Sequence, residues 1–271
     1  MPPVTVPKKK WGQNFLRNHG AASRIVAAVE PSPDDLILEI GPGEGVLTEK
    51  LIAFPNDVTV IEIDPALADR LRARFGPRVE VLNDDATDAP LPARPFRAVG
   101  NLPYNAGTPI LRRVIASANW QRAVFMLQKE VAERLTARPG DEQYGYLTLY
   151  AQLFARARIL MTLEPGSFHP RPNVRSAVVV LDPDRKPFAS PELLDLISAA
   201  FRMRRKKLVN NLTTVGRADL IGPWSASASI PTRGRRRWRL RTSRSWRRRW
   251  GPAEARPTFA HRFRESCISN T

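Results

Sequence analysis

Short apolar runs alternate with longer amphipathic stretches along most of this chain. The runs Leu36–Ile40, Val58–Ile63, Val79–Asn83, Arg97–Gly100, Ala123–Gln128, Arg158–Leu163 and Ala177–Leu181 read as strands. Between them, Ala21–Val29, Gly45–Ala53, Pro65–Phe75, Thr108–Ser117, Lys129–Arg138 and Tyr146–Ala155 space their apolar residues as helices do. Strand–helix alternation predicts an α/β fold with a mainly parallel sheet covered on both faces. Only a proline-rich loop separates the last two strands, too short for a helical crossover, so they are expected to pair antiparallel at the sheet edge. The pattern is that of a doubly wound, Rossmann-like seven-stranded sheet whose last strand is reversed. Pro183–Pro191 reads as a linker, followed by a helix over Pro191–Leu212. The domain organisation expected is therefore 1–185 for the α/β domain, 186–219 for the start of a small helical domain, and 220–271 for a tail of different character.

Charge sharpens that last boundary. Of the net charge of +17, +11 comes from residues 220–271, which hold 13 arginines, no lysine, two acids and four of the six tryptophans. Two readings fit: a basic disordered nucleic-acid arm, or text translated in a shifted frame from GC-rich coding sequence. The second is favoured, since disordered arms mix lysine with arginine and are poor in aromatics. Residues 1–219 carry the remaining +6, a moderate excess that suits a polyanionic partner. The basic run Arg204, Arg205, Lys206 and Lys207 is a candidate RNA contact, or simply a solvated helix face. No apolar run reaches the 18 residues or more of a membrane span, and Met1–Lys10 leads into Trp11-Gly12-Gln13-Asn14 rather than into the apolar core of a secretory signal. With Cys267 the only cysteine, neither an internal disulfide nor a cysteine-rich metal site is expected, and a cytoplasmic location fits.

A glycine-rich segment, either a dinucleotide site or simply a tight turn when taken alone, follows the first strand. Leu36-Ile37-Leu38-Glu39-Ile40-Gly41-Pro42-Gly43-Glu44-Gly45 is a strand entering a glycine-rich turn, where the backbone can approach a ligand closely. The second strand ends in Glu62, 21 residues past Gly41, placed to accept both hydroxyls of a ribose. The third ends in Asn83-Asp84-Asp85, and Asp85 can accept from an adenine amino group. Singly, each acid could be an ordinary strand-end or capping residue. Together, at the carboxyl ends of successive strands, they point to a nucleoside at the switch point of the sheet. NAD and S-adenosylmethionine both use this layout. The spacing Gly41-x-Gly43-x-Gly45 departs from the dinucleotide pattern and provides less for a pyrophosphate, which favours S-adenosylmethionine.

After the fourth strand comes Asn101-Leu102-Pro103-Tyr104. An exocyclic adenine nitrogen is a poor nucleophile because its lone pair is delocalised into the ring. Hydrogen-bond acceptors on its amino hydrogens favour a more tetrahedral nitrogen, and the Asn101 side-chain carbonyl with the Leu102 backbone carbonyl would serve. Pro103 stiffens the turn, and Tyr104 offers a stacking face. Such a site needs no metal and no covalent nucleophile, only alignment and charge complementarity. The alternative is an Asn-Pro turn with a packed tyrosine. Phe168, in the loop Ser167–Ser176, is a candidate second face of a base clamp or an ordinary core phenylalanine, and His169 is read as incidental.

At this point the residues match a family. The chain resembles the small-subunit (16S) ribosomal RNA adenine N6,N6-dimethyltransferases of the bacterial KsgA type. The resemblance is carried by Gly12–Leu16, Glu39–Gly43, Glu62–Asp64, Asp85-Ala86, Gly100–Asn105, Phe125–Leu135, Phe168–Val179 and Arg204–Leu212, in order through about residues 8–212. It implies a seven-stranded S-adenosylmethionine-dependent methyltransferase fold with a small C-terminal helical domain. It implies that Asn14, Leu16, Gly41, Gly43, Glu62, Asp85 and Asn101 line the S-adenosylmethionine site, that Asn101–Tyr104 form the catalytic loop, and that Phe168 contacts the target base. The implied substrate is a pair of adjacent adenosines in a hairpin near the 3′ end of small-subunit RNA, dimethylated by a monomer within a 30S assembly intermediate.

The chain departs from the family in three places. Ala106-Gly107 stands where Ile-Ser or a similar pair is usual, Glu44 where an apolar residue is common, and residues 220–271 do not resemble the second half of the family's helical domain. Leu102 with Pro109 looks more like this group than like the macrolide-resistance methylases of large-subunit RNA. That large-subunit activity, a DNA adenine methyltransferase and a non-catalytic RNA-binding assembly factor are the rival readings.

Overall fold

A computed structural model describes residues 7–8, 11–184 and 191–201. The run Arg204–Lys207 and the tail 220–271 lie outside the described residues. The elements in order are β1 (Phe15–Leu16), α1 (His19–Ala27), β2 (Leu36–Ile40), α2 (Thr48–Leu51), β3 (Val58–Ile61), α3 (Pro65–Phe75), β4 (Val79–Leu82), β5 (Phe96–Asn101), α4 (Gly107–Ala116), β6 (Trp120–Gln128), α5 (Lys129–Thr136), α6 (Tyr146–Phe154), β7 (Ala155–Leu163), β8 (Phe168–His169), β9 (Ser176–Pro183) and α7 (Pro191–Phe201). None of the described helices is long and apolar enough to cross a membrane.

The described chain divides into two compact units. The first comprises residues 1–136 and 155–185 and contains a seven-stranded sheet in the order β4-β3-β2-β5-β6-β9-β7. Strands β4 to β6 run parallel, and β9 is antiparallel to both β6 and β7. The expected antiparallel pair is present, with β9 inserted between β6 and β7 so that β7 forms the edge. All five residues of β2 are buried, as a central strand covered on both faces requires. On one face Ile37, Val58, Val60, Val124, Met126, Val178 and Val180 meet Ala22, Ile25 and Val26 of α1 and Leu71 and Phe75 of α3. The two-residue period of the strand partners is that of alternating side chains. Helices α4 and α5 lie against β6. Phe96 and Phe125 are fully buried, each worth about 1.5–3 kcal/mol relative to exposure.

Local chemistry sets the element ends. Asn18 caps α1 by accepting from the Ala21 amide at 2.9 Å, and Asp64 caps α3, which opens on Pro65. The helix expected over Gly45–Ala53 contracts to Thr48–Leu51, and Gly43 and Gly45 before it hold positive φ, outside the helical region. One feature that periodicity does not reveal is the two-stranded ribbon of β1 and β8, pairing Phe15 with His169 and Leu16 with Phe168.

The second unit contains residues 137–154 and, among its described residues further on, α7. Its apolar cluster joins Leu149 and Leu153 of α6 to Leu193 and Ile197 of α7. Helix α6, which the strand–helix alternation puts in the first domain, thus packs its apolar face on the later helix.

Candidate active site

The order of the sheet reverses at β2 and β5, and the chain leaves each of these strands into a functional turn. After β2, Gly41, Gly43 and Gly45 adopt φ of +68°, +58° and +82°, a region that side chains disfavour. Space is also short: a Cβ on Gly43 would sit 2.8 Å from the Phe15 ring. The turn forms one wall of a small recess that is also lined by Phe15, Leu16, Glu39, Glu44, Asn101 and Met126.

Two carboxyls lie beneath this turn. Glu62 is 4% exposed. It accepts from the Gly43 amide at 3.0 Å through one oxygen and from the Asp64 amide at 2.9 Å through the other. Burial raises its pKa against the pull of those amides. Its own carbonyl accepts from Asn83 Nδ2 at 2.7 Å, which ties the end of β3 to the end of β4. Glu39, 1% exposed, accepts from Thr48 Oγ1 at 2.6 Å. Burial first, then the neighbouring Glu62, pushes its pKa up to about 8, although the Thr48 bond works the other way.

After β5, the Asn101 amide is held by a 2.6 Å hydrogen bond from Nδ2 to the Asn14 carbonyl. Fixing the nitrogen leaves Oδ1 as the acceptor end. The next residues turn tightly: the Leu102 amide donates to Met126 O at 3.2 Å and the Gly107 amide to Pro103 O at 2.7 Å. Leu102, Pro103 and Tyr104 line a second recess with Gly107, Thr108, Leu127, Gln128 and Val131. The Asn101–Tyr104 loop is therefore a partition: Asn101 lines the recess beneath the glycine turn, and the following three residues line the other. The Tyr104 hydroxyl pairs with Ser176 Oγ at 2.7 Å, which sets the ring, while burial raises the phenol pKa.

Comparison with known proteins identifies the family. A family model for ribosomal RNA adenine dimethylase matches residues 5–221. The chain belongs to the ribosomal RNA adenine dimethylase family. Curated relatives named Ribosomal RNA small subunit methyltransferase A include that of Hahella chejuensis, 40% identical over 226 residues, covering 79% of this chain and 83% of the relative. That of Methylococcus capsulatus is 42% identical over 217 residues, covering 76% and 84%. Among solved structures, a dimethyladenosine transferase from Plasmodium falciparum is 30% identical with a TM-score of 0.69, covering 76% of this chain and 78% of its own. The 23S rRNA methyltransferase ErmE is 30% identical with a TM-score of 0.63, covering 74% and 84%. The family match ends at residue 221, where the composition changes.

In this member of the dimethylase family, Leu16, Gly41, Gly43 and Asn101 come together around one recess. Glu62 reaches it through Gly43, and Asn14 through Asn101. Asp85 is more local: its Oδ1 accepts from the Thr87 amide and hydroxyl, each at 2.8 Å, capping the turn after β4. Phe168 does not line the recess beside Tyr104. It is 5% exposed and belongs to the main apolar cluster, because its pairing with Leu16 turns the ring into the core. Of the two readings of this residue, the core phenylalanine is the one that describes its surroundings. Several contacts at the site span many residues and carry no spacing signal: Thr48 under Glu39, Ser176 on Tyr104, and Lys8 and Gln13 on Asp64 at 2.9 and 3.3 Å.

Proposed function

We propose that this chain transfers methyl groups from S-adenosylmethionine to N6 of two adjacent adenosines in the 3′-terminal hairpin of small-subunit ribosomal RNA. It does so as a cytoplasmic monomer acting on a 30S assembly intermediate. Family membership and the relatives' names support the reaction and the RNA. The single structural observation that carries it is the Asn101–Tyr104 partition, with one recess on each side.

The residues of the first recess suit the cofactor. Positive-φ glycines let a ligand lie against bare backbone, and the Glu62 carboxyl stands at the end of β3 for ribose hydroxyls. When bound, S-adenosylmethionine supplies a methyl group already activated on a sulfonium. The chain's task is alignment and charge complementarity. Asn101 Oδ1 accepts a hydrogen from the exocyclic amine, and the Leu102 carbonyl is the second acceptor. Both draw the nitrogen toward a tetrahedral geometry. Tyr104, fixed by Ser176, provides the face for an unstacked base. A singly methylated adenosine keeps one N6 hydrogen, so the Asn101 acceptor can serve both rounds.

The likeness to ErmE favours large-subunit RNA as the second reading. Incubating the protein with labelled S-adenosylmethionine and undermethylated 30S particles, 50S particles or duplex DNA separates the readings. Label in N6,N6-dimethyladenosine of the 30S RNA is expected; label confined to 50S RNA or DNA would overturn the assignment.

A further inference from the structure

Glu44 lines the recess beneath the glycine turn. Its carboxylate meets Arg17 Nη1 at 2.8 Å, with the two side chains 19% and 48% exposed. Arg17 directly follows β1, and its amide donates to Ser167 O at 2.7 Å, just before β8. The ion pair thus joins the β1–β8 ribbon to the glycine turn, while between its ends Phe15 lies against Gly43. On its other side the turn is anchored independently: Arg74 donates to Glu44 O at 2.9 Å and to Glu49 Oε2 at 2.8 Å. Removing the Arg17 side chain therefore cuts one tie between the ribbon and the turn, leaves the turn held, and leaves β1 its pairing with β8 and its Asn14 tether to Asn101.

We infer that Arg17 and Glu44 form a clasp that holds the β1 segment over the cofactor recess and lengthens the residence of the bound nucleoside. The second half of this inference rests on the proposed cofactor. Arg17 acts as a positioning residue: it keeps Phe15 and Leu16 in the wall of the recess. A half-exposed pair of this kind supports only a modest effect, about two- to five-fold in a rate, and one that salt screens.

Two measurements test it. Hydrogen exchange of the Asn14–Arg17 amides in the ligand-free protein reads the clasp alone. Stopped-flow dissociation of S-adenosylhomocysteine reads residence. Arg17→Ala is expected to speed both by about two- to five-fold, to raise KM for S-adenosylmethionine, and to leave the single-turnover methyl-transfer rate unchanged. The double variant Arg17→Ala/Glu44→Gln should be no faster than either single one, the charge swap Arg17→Glu/Glu44→Arg should recover part of the loss, and the salt dependence of dissociation should weaken in Arg17→Ala. Unchanged exchange overturns the clasp. Faster exchange with unchanged dissociation, or additive single effects, overturns its role in residence. Wild-type protein that retains no S-adenosyl compound while Arg17→Ala still speeds exchange would uphold the clasp and sink the cofactor reading instead.

Discussion

Glu39 sits wholly within the fold with its pKa pushed up to about 8 from the usual 4.5, chiefly by burial. A carboxyl raised in this way stabilises the folded state in its protonated form. That contribution is complete below the unfolded value and is lost as pH climbs to the folded one. Glu62 is shifted in the same direction. Conformational stability should therefore fall between about pH 5 and pH 8. Glu39→Gln, which still accepts from Thr48, should flatten that fall in urea titrations at successive pH values; an unaltered slope would show that Glu39 titrates normally. Asn101 is the residue on which the proposed chemistry depends. Removing one pre-positioned hydrogen-bonding group at a reacting centre costs about 10²-fold in turnover, so Asn101→Ala should lower kcat on that scale and affect cofactor affinity much less. Calorimetry showing that affinity disappears, with normal turnover per bound complex, would reassign Asn101 to binding. The motif points to an acceptor role for Asn101, but nothing in the sequence marks its tether to Asn14, 87 residues away.

The sheet and the helices that cover it follow the apolar pattern closely, because a buried parallel strand must be apolar on both faces and so leaves a mark in the chain. The short ribbon leaves none. Two residues per strand cannot show alternation, and Phe15 and Phe168 resemble any core aromatic until β1 and β8 are seen paired. The same limit explains Phe168, whose burial depends on a partner more than 150 positions away. Helix α6 shows a related limit: its periodicity marks a helix, yet only the position of α7 decides which core receives it. At the junction of β2 and β5, Ile40 stands opposite Gly100, and a Cβ on Gly100 would lie 2.2 Å from the Ile40 carbonyl oxygen. Backbone cannot yield there without parting the two strands that carry the glycine turn and the Asn101 loop. Gly100→Ala should therefore cost at least about 3 kcal/mol in denaturant unfolding; a loss below about 1 kcal/mol would mean that the strands are less tightly coupled than their register implies.

For the molecule as a whole, the charge in residues 1–219 is modest and the largest clusters lie in its last stretch and beyond. If Arg204, Arg205, Lys206 and Lys207 contact phosphates, neutralising all four should flatten the logarithmic salt dependence of RNA binding by about 3 to 4 units, near one per contact. An unchanged slope would exclude phosphate contact by these residues. The family match from 5 to 221 takes in this run and excludes nearly all of the arginine- and tryptophan-rich segment, so both recesses and their partition belong to the part of the chain shared with its relatives. Mass spectrometry of ribosomal RNA from cells lacking this protein tests the central claim most directly. Loss of N6,N6-dimethyladenosine from the 3′-terminal hairpin of the small-subunit RNA, restored by the wild-type chain and not by Asn101→Ala, is the predicted result; undiminished dimethyladenosine at both positions would contradict it.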